Sequence, residues 1–251
     1  MDAFEGGCYV YGVVPSTAAL PDGLRGVGDS PGTVRLVRHG GLAAAVSDVS
    51  QDRPLGSRHD LLAHQRVLDT LMTASTVLPM RFGVVLGDAE AVTSDLLEPH
   101  HYRFVDALAE FSGYTQFTVR GRYEQDMVLR EVLAEDPETQ RLQEVVRELL
   151  PDSGYYDRIR LGELVFHALQ RTREADGEVA VDTLAPYAAS IRLREPAGDD
   201  GAVDAAVLVG HEHRDGFERA VEHLGARWAG RIRLRMLGPL PPYDFVELEE
   251  D

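Results

Sequence analysis

The chain has 251 residues, of which 44% are hydrophobic and 27% are charged, and this is the composition of a folded globular protein with one or two domains. Its 25 basic residues are all arginine and are outnumbered by 42 acidic residues. The resulting net charge of −17 disfavours binding to nucleic acid or to anionic lipid. A lone cysteine, Cys8, an acidic N-terminus and the absence of a long apolar run predict a cytoplasmic protein without a secretory signal or a membrane span.

Three segments of the first half are rich in β-branched or small apolar residues, and they predict strands. These strands are expected at residues 7–14, 33–37 and 42–49. The segment 15–32 between the first two contains three prolines and four glycines, and it predicts a long exposed loop.

A helix and a strand are predicted next. Ser57 and Asp60 have the spacing of a capping box, and apolar residues then recur at helical spacing to about residue 75. In the segment 77–87, every second residue is apolar, which predicts a strand with one buried face. The residues of that face are Leu78, Met80, Phe82, Val84 and Leu86. A helical region capped by Asp88 should break at Pro99.

The second half alternates strands and helices in an order that indicates a ferredoxin-like fold, the split βαβ arrangement, with an enlarged first crossover. Strands are predicted at 114–124, 189–195, 204–210 and 231–237, and helices at 136–150, 155–174 and 214–229, with a further short helix that ends near Tyr187. The second helix is expected to point Ile159, Leu164, Val165, Ala168 and Leu169 inward. We therefore predict an α+β protein with two α/β domains, residues 1–112 and 113–238, and a tail, 239–251, that packs back on the first.

Histidines offer the only local patterns for a metal site or for acid–base catalysis, and each has a simpler interpretation. His211 and His213 lack a third ligand at a zinc-like spacing, so a solvated loop is favoured. Asp60 and His64 lie at i and i+4 on one helix face, whereas His59 does not share the face of His64. Asp60 could orient His64 as a general base, but a surface contact or a buried histidine is the more common outcome.

The segment Gly28–Gly32 matches the G-x-S-x-G pattern of hydrolases, but its context does not fit that chemistry. A nucleophile elbow needs a strand before the serine and a helix after it, whereas here a loop precedes and a strand follows. Pro31 also lacks the backbone N–H that would contribute to an oxyanion hole. We therefore expect a plain loop.

Arginines alternate with apolar residues in two of the predicted strands. The candidate docking residues of this arginine face are Arg192, Arg194, Arg231, Arg233 and Arg235. In a chain of charge −17, acidic side chains of the same molecule are the expected partners. The alternative is a docking face for an acidic segment of another protein.

Two motifs resemble the signatures of a known family. Residues 77–83 read V-L-P-M-R-F-G and resemble the V-L-P-x-R-F-G motif of the gas vesicle protein F/L family. Residues 238–246 resemble its G-P-x-P-P-Y-x-F-V terminus, with Leu240 where many relatives carry Trp. The segment YYDRIRLGELV, residues 155–165, is also similar. The family-motif residues are Leu78, Pro79, Arg81, Phe82, Gly83, Gly238, Pro239, Pro241, Pro242, Tyr243 and Phe245.

The resemblance implies an accessory protein of gas vesicle formation with two α/β domains, the second of them ferredoxin-like, and without catalytic activity or a cofactor. It also implies a partner, the small hydrophobic shell protein called gas vesicle protein A, and other gas vesicle accessory proteins as further partners. A soluble, strongly acidic binder would cover the apolar surface of a shell subunit and oppose its aggregation. The leading hypothesis is therefore a chaperone-like assembly factor.

Two other functions remain open at this point. The protein is alternatively a minor structural component of the vesicle, or an unrecognised small-molecule enzyme, which would need a concave site with a perturbed histidine or carboxylate. Both motifs also have a structural interpretation. The first is then a core strand, and the second is a stiff tail that docks Tyr243 and Phe245 on the first domain.

Overall fold

The computed structural model describes residues 6–50, 54–135, 137–148 and 155–246, and the chain folds into two compact units. The first unit runs to Gln116 and takes up the chain again from Pro239, and the second is Phe117–Gly238. Each unit combines an antiparallel sheet with helices, which confirms the α+β fold class. Within these ranges, no helix is both long and apolar enough to cross a bilayer.

The first unit is built on a sheet with the order β2-β3-β1-β4, in which β5 also pairs with β1. Its elements are β1 (Gly6–Pro15), β2 (Arg35–His39), β3 (Leu42–Ser50), α1 (Arg58–Met72), β4 (Leu78–Pro79), β5 (Val85–Leu86), α2 (Ala89–Ala91), a π-helical turn (Val92–Leu97) and α3 (His101–Glu110). Strand β1 is buried from Gly7 to Val14. Because both of its faces are covered, its sequence is apolar without alternation.

Helix α1 begins as the sequence predicts. The hydroxyl of Ser57 accepts a hydrogen bond from the backbone N–H of Asp60, and the carboxylate of Asp60 accepts one from the N–H of Ser57. This reciprocal pair is a capping box. The helix then buries Ala63, Val67 and Leu68 against the core of the first unit.

The continuous strand predicted over residues 77–87 is wrong. The structure has two two-residue strands, β4 and β5, which pair with β1 at Gly12–Val13 and at Cys8–Tyr9. Between them the chain turns, and Gly83 has a φ of +97°, a conformation that favours glycine. Leu78 and Met80 are buried as expected, but Phe82 is only half-buried because it lies in this turn.

The loop predicted to be exposed, residues 15–32, is instead anchored to the first unit. It buries Ala18 and Val27, and an isolated bridge joins Arg25 to Thr33. The backbone N–H of Val27 donates to the hydroxyl of Tyr11 at 2.8 Å. Composition alone suggested exposure because prolines and glycines dominate the segment and its few apolar residues show no periodicity.

The second unit has the sheet order β7-β8-β6-β9, with β7 and β8 forming an antiparallel pair. Its elements are β6 (Tyr114–Tyr123), α4 (Gln125–Glu135), α5 (Pro137–Glu148), α6 (Tyr155–Leu184), a 3-10 turn (Ala185–Tyr187), β7 (Ser190–Arg194), β8 (Gly201–Gly210), a second 3-10 turn (His211–His213), α7 (Arg214–Arg227) and β9 (Ile232–Leu240). The crossover from β6 to β7 is the enlarged one that the sequence predicts.

That crossover differs from expectation in three respects. Helix α4 was not predicted, and α6 continues ten residues beyond the expected end at residue 174. Ile159 was expected to point inward but is 43% exposed, because apolar residues occupy two faces of α6 and only one of them faces the core. The predicted cap at Asp136 and the helix end at Pro151 lie outside the described residues.

Candidate functional site

The two family-like motifs, far apart in sequence, meet around one histidine of the first unit. His64 on α1 is 5% exposed, and its Nδ1 lies 2.9 Å from the hydroxyl oxygen of Tyr9 on β1. Its Nε2 lies 3.4 Å from the hydroxyl oxygen of Tyr243 in the tail. Phe82 of the first motif contacts the imidazole edge-on, with ring centroids 5.6 Å apart. We call His64, Tyr9, Tyr243, Tyr11 and Phe82 the His64 cluster.

The turn of the first motif closes one side of the His64 cluster. The backbone N–H of Gly83 donates to the hydroxyl of Tyr9 at 3.1 Å, and the ring of Phe82 packs edge-on against Tyr9 at 6.0 Å. Leu78 and Pro79 of the same motif are buried, whereas Arg81 is exposed. The positive φ of Gly83 is therefore what aims its N–H at the tyrosine.

The tail closes another side of the cluster. Pro241, Pro242 and Phe245 are buried, and the N–H groups of Phe245 and Val246 both donate to the carbonyl of Pro242. The tail is thus a helical turn rather than the extended strap that its prolines suggested. Gln116 holds this turn, because its side chain accepts a hydrogen bond from the Asp244 N–H at 2.9 Å and donates one to the Asp244 carboxylate.

The ionisable groups of the His64 cluster are held neutral. Burial lowers the pKa of His64 to about 4, and burial also raises the pKa values of Tyr9, Tyr11 and Tyr243. Near neutral pH, the cluster is therefore a set of uncharged donors and acceptors enclosed by aromatic rings. Its contacts join α1, β1, the first motif and the tail, and they stabilise the first unit.

Asp60 does not orient His64, so the acid–base pair considered from the sequence is wrong. The carboxylate of Asp60 accepts hydrogen bonds from the N–H groups of Gly28 and Gly56 and from the hydroxyl of Ser57. Asp60 thereby ties the loop 15–32 to the start of α1. Because both ring nitrogens of His64 face tyrosine hydroxyls, the Asp60 carboxylate has no place in its hydrogen bonding.

The other histidine and serine patterns lie on the surface. His211 and His213 are exposed in a 3-10 turn, and the Nδ1 of His213 lies 3.2 Å from a carboxylate oxygen of Glu212. His59 is exposed on α1, and Ser30 is exposed in the loop of the first unit. Over the part of the chain that the structure describes, no group of three or more His, Cys, Asp or Glu side chains is arranged to hold a metal ion.

The arginine face of the second unit is largely neutralised by acids of the same chain. Arg194 donates to Asp204 from its Nε at 3.0 Å, and Arg120 of the neighbouring strand β6 donates to the same carboxylate at 3.1 Å. Arg233 pairs with Glu124 at 2.5 Å. Arg192 and Arg235 are exposed.

Arg231 reaches the helices instead, and it belongs to a partly buried ionic cluster that the sequence did not reveal. Its guanidinium donates to Glu131 on α4 at 2.6 Å and to Asp176 on α6 at 2.7 Å, and it lies over the ring of Tyr123. The hydroxyl of Tyr123 donates to Asp176 at 2.7 Å. The contacting pairs of this cluster are 53 to 108 positions apart along the chain, and Glu131 lies on a helix that the sequence does not predict, so no local signal marks the cluster.

Large apolar side chains are exposed on the three crossover helices of the second unit. They are Met127 and Leu129 on α4, Val145 on α5, and Tyr155, Tyr156, Ile159 and Phe166 on α6. A contiguous exposed apolar patch, in contrast to apolar residues scattered singly, is typical of a binding surface.

The chain is similar over nearly its whole length to gas vesicle proteins. The family model "Gas vesicle synthesis protein GvpL/GvpF" matches residues 7–247. Gas vesicle protein F of Streptomyces sp. (strain CB03234) is 35% identical over 243 residues, which cover 95% of this chain and 99% of that protein. Gas vesicle protein F of Microcystis aeruginosa (strain PCC 7806) is 27% identical over 246 residues, covering 96% and 98%.

Solved structures have the same fold. The crystal structure of GvpF from Anabaena sp. PCC7120 superimposes with a TM-score of 0.83 at 24% identity, covering 98% of this chain and 100% of that one. The crystal structure of GvpF from Microcystis aeruginosa gives 0.79 at 27% identity, covering 96% and 99%. The segments that form the His64 cluster all lie inside the matched range.

Proposed function

Since the chain belongs to the Gas vesicle synthesis protein GvpL/GvpF family, with a gas vesicle role, we propose that it binds the hydrophobic shell protein, gas vesicle protein A, and assists vesicle assembly by preventing aggregation. The protein acts in the cytoplasm as an accessory factor, without a cofactor and without catalysis.

One observation carries this function: exposed apolar side chains lie on an otherwise strongly acidic protein. The helices α4, α5 and α6 expose large apolar residues, and the chain as a whole has a net charge of −17. The apolar residues supply binding energy for a hydrophobic partner. The negative charge keeps two complexes of the chain with its bound shell protein apart, because like-charged particles repel each other at low ionic strength.

The exposed arginines have a secondary part in this function. Arg192, Arg233 and Arg235 on the sheet of the second unit attract an acidic segment of the partner and raise the rate of encounter. Arg194 and Arg231, which are less exposed, instead hold the second unit together through Asp204 and Asp176.

Co-expression tests the proposed function. Tagged full-length chain and gas vesicle protein A are expressed together, and we expect the shell protein to stay in the soluble fraction and to copurify with the tag. Shell protein that remains in the pellet with and without the chain would contradict the proposal. Retention of the chain on purified vesicles after washing in high salt or urea would instead favour a structural component of the vesicle.

A further inference from the structure

The sheet of the second unit has one face that meets the core and one face that carries arginines. The apolar residues Val119, Ile191 and Leu234, on three of its strands, pack into the core together with the helices. Because side chains alternate between the two faces of a sheet, the neighbours of these residues point away from the helices. They include two arginines on each of three strands, which we call the sheet arginines: Arg120 and Arg122 on β6, Arg192 and Arg194 on β7, and Arg233 and Arg235 on β9.

One carboxylate serves two of the sheet arginines. Asp204 on β8, the strand between β7 and β6, is only 7% exposed. Arg194 on one side and Arg120 on the other both donate to it, at 3.0 and 3.1 Å. A single negative charge therefore faces two positive charges at the centre of the face.

The outer sheet arginines are held weakly, or not at all, by acids of the described chain. Arg122 donates to Asp200 at 3.3 Å, and its side chain is 67% exposed. Arg233 pairs with Glu124, and its side chain is 78% exposed. Arg235 is exposed and forms no ion pair with any described residue. Since such exposed pairs contribute little to stability, a carboxylate of another molecule can replace them.

The size and charge of this face select a short acidic segment as its occupant. Strands lie about 4.8 Å apart, so four strands span about 14 Å, and alternate residues of an extended chain lie about 7 Å apart. An extended segment with an acidic residue at every second position therefore matches the two arginines of a strand, and guanidinium groups bind carboxylates through paired hydrogen bonds. A long polyanion such as nucleic acid would reach beyond the face, where a chain of charge −17 repels it.

We propose that the sheet arginines form a binding surface for an extended acidic segment of another protein. In the proposed function these arginines only speed the encounter with the shell protein. The inference goes beyond that function, because the bound acidic segment does not have to belong to the shell protein. The second unit then has two separate surfaces, an apolar one on its crossover helices and a basic one on its sheet.

Fluorescence anisotropy of the full-length chain with a labelled peptide tests the inference. The probe is a short peptide with glutamate at every second position and serine between, and the same peptide with glutamine in place of glutamate is its control. At low ionic strength, we expect the glutamate peptide to bind and the glutamine peptide not to bind. Arg122→Gln/Arg192→Gln/Arg235→Gln should weaken binding about tenfold or more. Lysine at the same three positions keeps the charge, so binding should stay within a few-fold of the unmodified chain.

A matched control separates this face from a general effect of charge. Arg171→Gln/Arg219→Gln/Arg227→Gln removes the same three charges at exposed positions of α6 and α7, and it should leave binding of the glutamate peptide unchanged. The melting temperatures of both triple variants should equal that of the unmodified chain, because all six positions are exposed.

Three results would overturn the inference. They are equal affinity of the two glutamine triple variants, no binding of the glutamate peptide to the unmodified chain, and tighter binding of a labelled oligonucleotide of the same charge, which would favour nucleic acid. None of these measurements involves gas vesicle protein A, so a failure here leaves the co-expression test of the proposed function unaffected.

Discussion

The two units share a sheet order, second-third-first-fourth in each, but their largest polar clusters differ in chemistry. In the first unit, His64 lies between the hydroxyls of Tyr9 and Tyr243. In the second unit, the partly buried Arg231 lies between the carboxylates of Glu131 and Asp176. The same arrangement of strands is therefore stabilised by an aromatic cluster in one unit and by an ionic cluster in the other.

The crossover after the first strand of each sheet also differs between the two units. In the first unit this crossover is the anchored loop 15–32, which Tyr11 and Asp60 hold in place. In the second unit it consists of α4, α5 and α6, whose outer sides expose apolar residues. The V-L-P-M-R-F-G motif and the tail lie in the unit whose crossover is anchored, whereas the crossover of the other unit exposes apolar helix surface. We therefore expect stability and binding to respond to different substitutions.

Deleting residues 241–251 should have the largest effect on stability, and it should act on the first unit. Tyr243 and Phe245 pack on that unit, and burial of such side chains contributes ~1.5–3 kcal/mol each. We expect the free energy of unfolding of the first unit to fall by about 3–6 kcal/mol. Trp228, the single tryptophan, is buried in the second unit, so its fluorescence in urea reports that unit separately and should change little. A deletion that leaves both transitions unchanged would contradict docking of the tail.

Acid should destabilise the first unit through His64. Its pKa is about 4 in the folded chain and about 6.5 when unfolded, so the unfolded chain binds the proton first as the pH falls. Stability should therefore decrease from pH 6.5 down to about pH 4, by at most about 3 kcal/mol, and this contribution should level off below that pH. His64→Gln should flatten the slope, measured by urea unfolding across this range, whereas His211→Gln should leave it unchanged. An equal slope in wild type and His64→Gln would rule out this role.

Asp176→Asn should weaken the second unit by about 2 kcal/mol, because the hydrogen bond to Arg231 loses its ionic partner while the Tyr123 contact survives. The exposed pair of Arg233 with Glu124 provides the comparison, since such pairs contribute about 0–1 kcal/mol. Urea unfolding followed at Trp228 measures both variants. If Arg233→Gln cost as much as Asp176→Asn, burial would not be what gives the ionic cluster its strength.

The smallest effect is expected from the exposed arginines. Replacing Arg192, Arg233 and Arg235 together by Gln should reduce recovery of the shell protein only a few-fold at low salt, and the difference should vanish near 1 M salt, where the screening length is about 3 Å. Copurification across a salt series measures this. A large loss that persists in high salt would mean that these strands, and not α6, form the main contact.

Local patterns in the sequence predict much of the fold. The capping box at Ser57 and Asp60 and the break at Pro99 depend on neighbouring residues only, and both are present in the structure. The order of strands and helices in the second half was also sufficient to indicate its sheet. The alternation of apolar and other residues in the motif segment 77–83 predicts a strand. It does not indicate the turn at Gly83, which depends on a hydrogen bond to the distant Tyr9.

The candidate sites were less predictable because they depend on contacts between distant parts of the chain. His64 and Tyr243 are 179 residues apart, and Arg231 is 100 residues from Glu131. The apolar residues of α6 occupy two faces, and the sequence does not say which face meets the core. For that reason the sequence predicts Ile159 on the inner face, although 43% of it is exposed.

Hydrogen–deuterium exchange of the full-length chain, with and without gas vesicle protein A, tests most directly whether binding and stability reside in different units. We expect the shell protein to slow exchange along residues 155–170 of α6 and to leave the segments 77–83 and 239–246 unchanged. Slower exchange concentrated in those two motif segments, with α6 unaffected, would contradict this expectation.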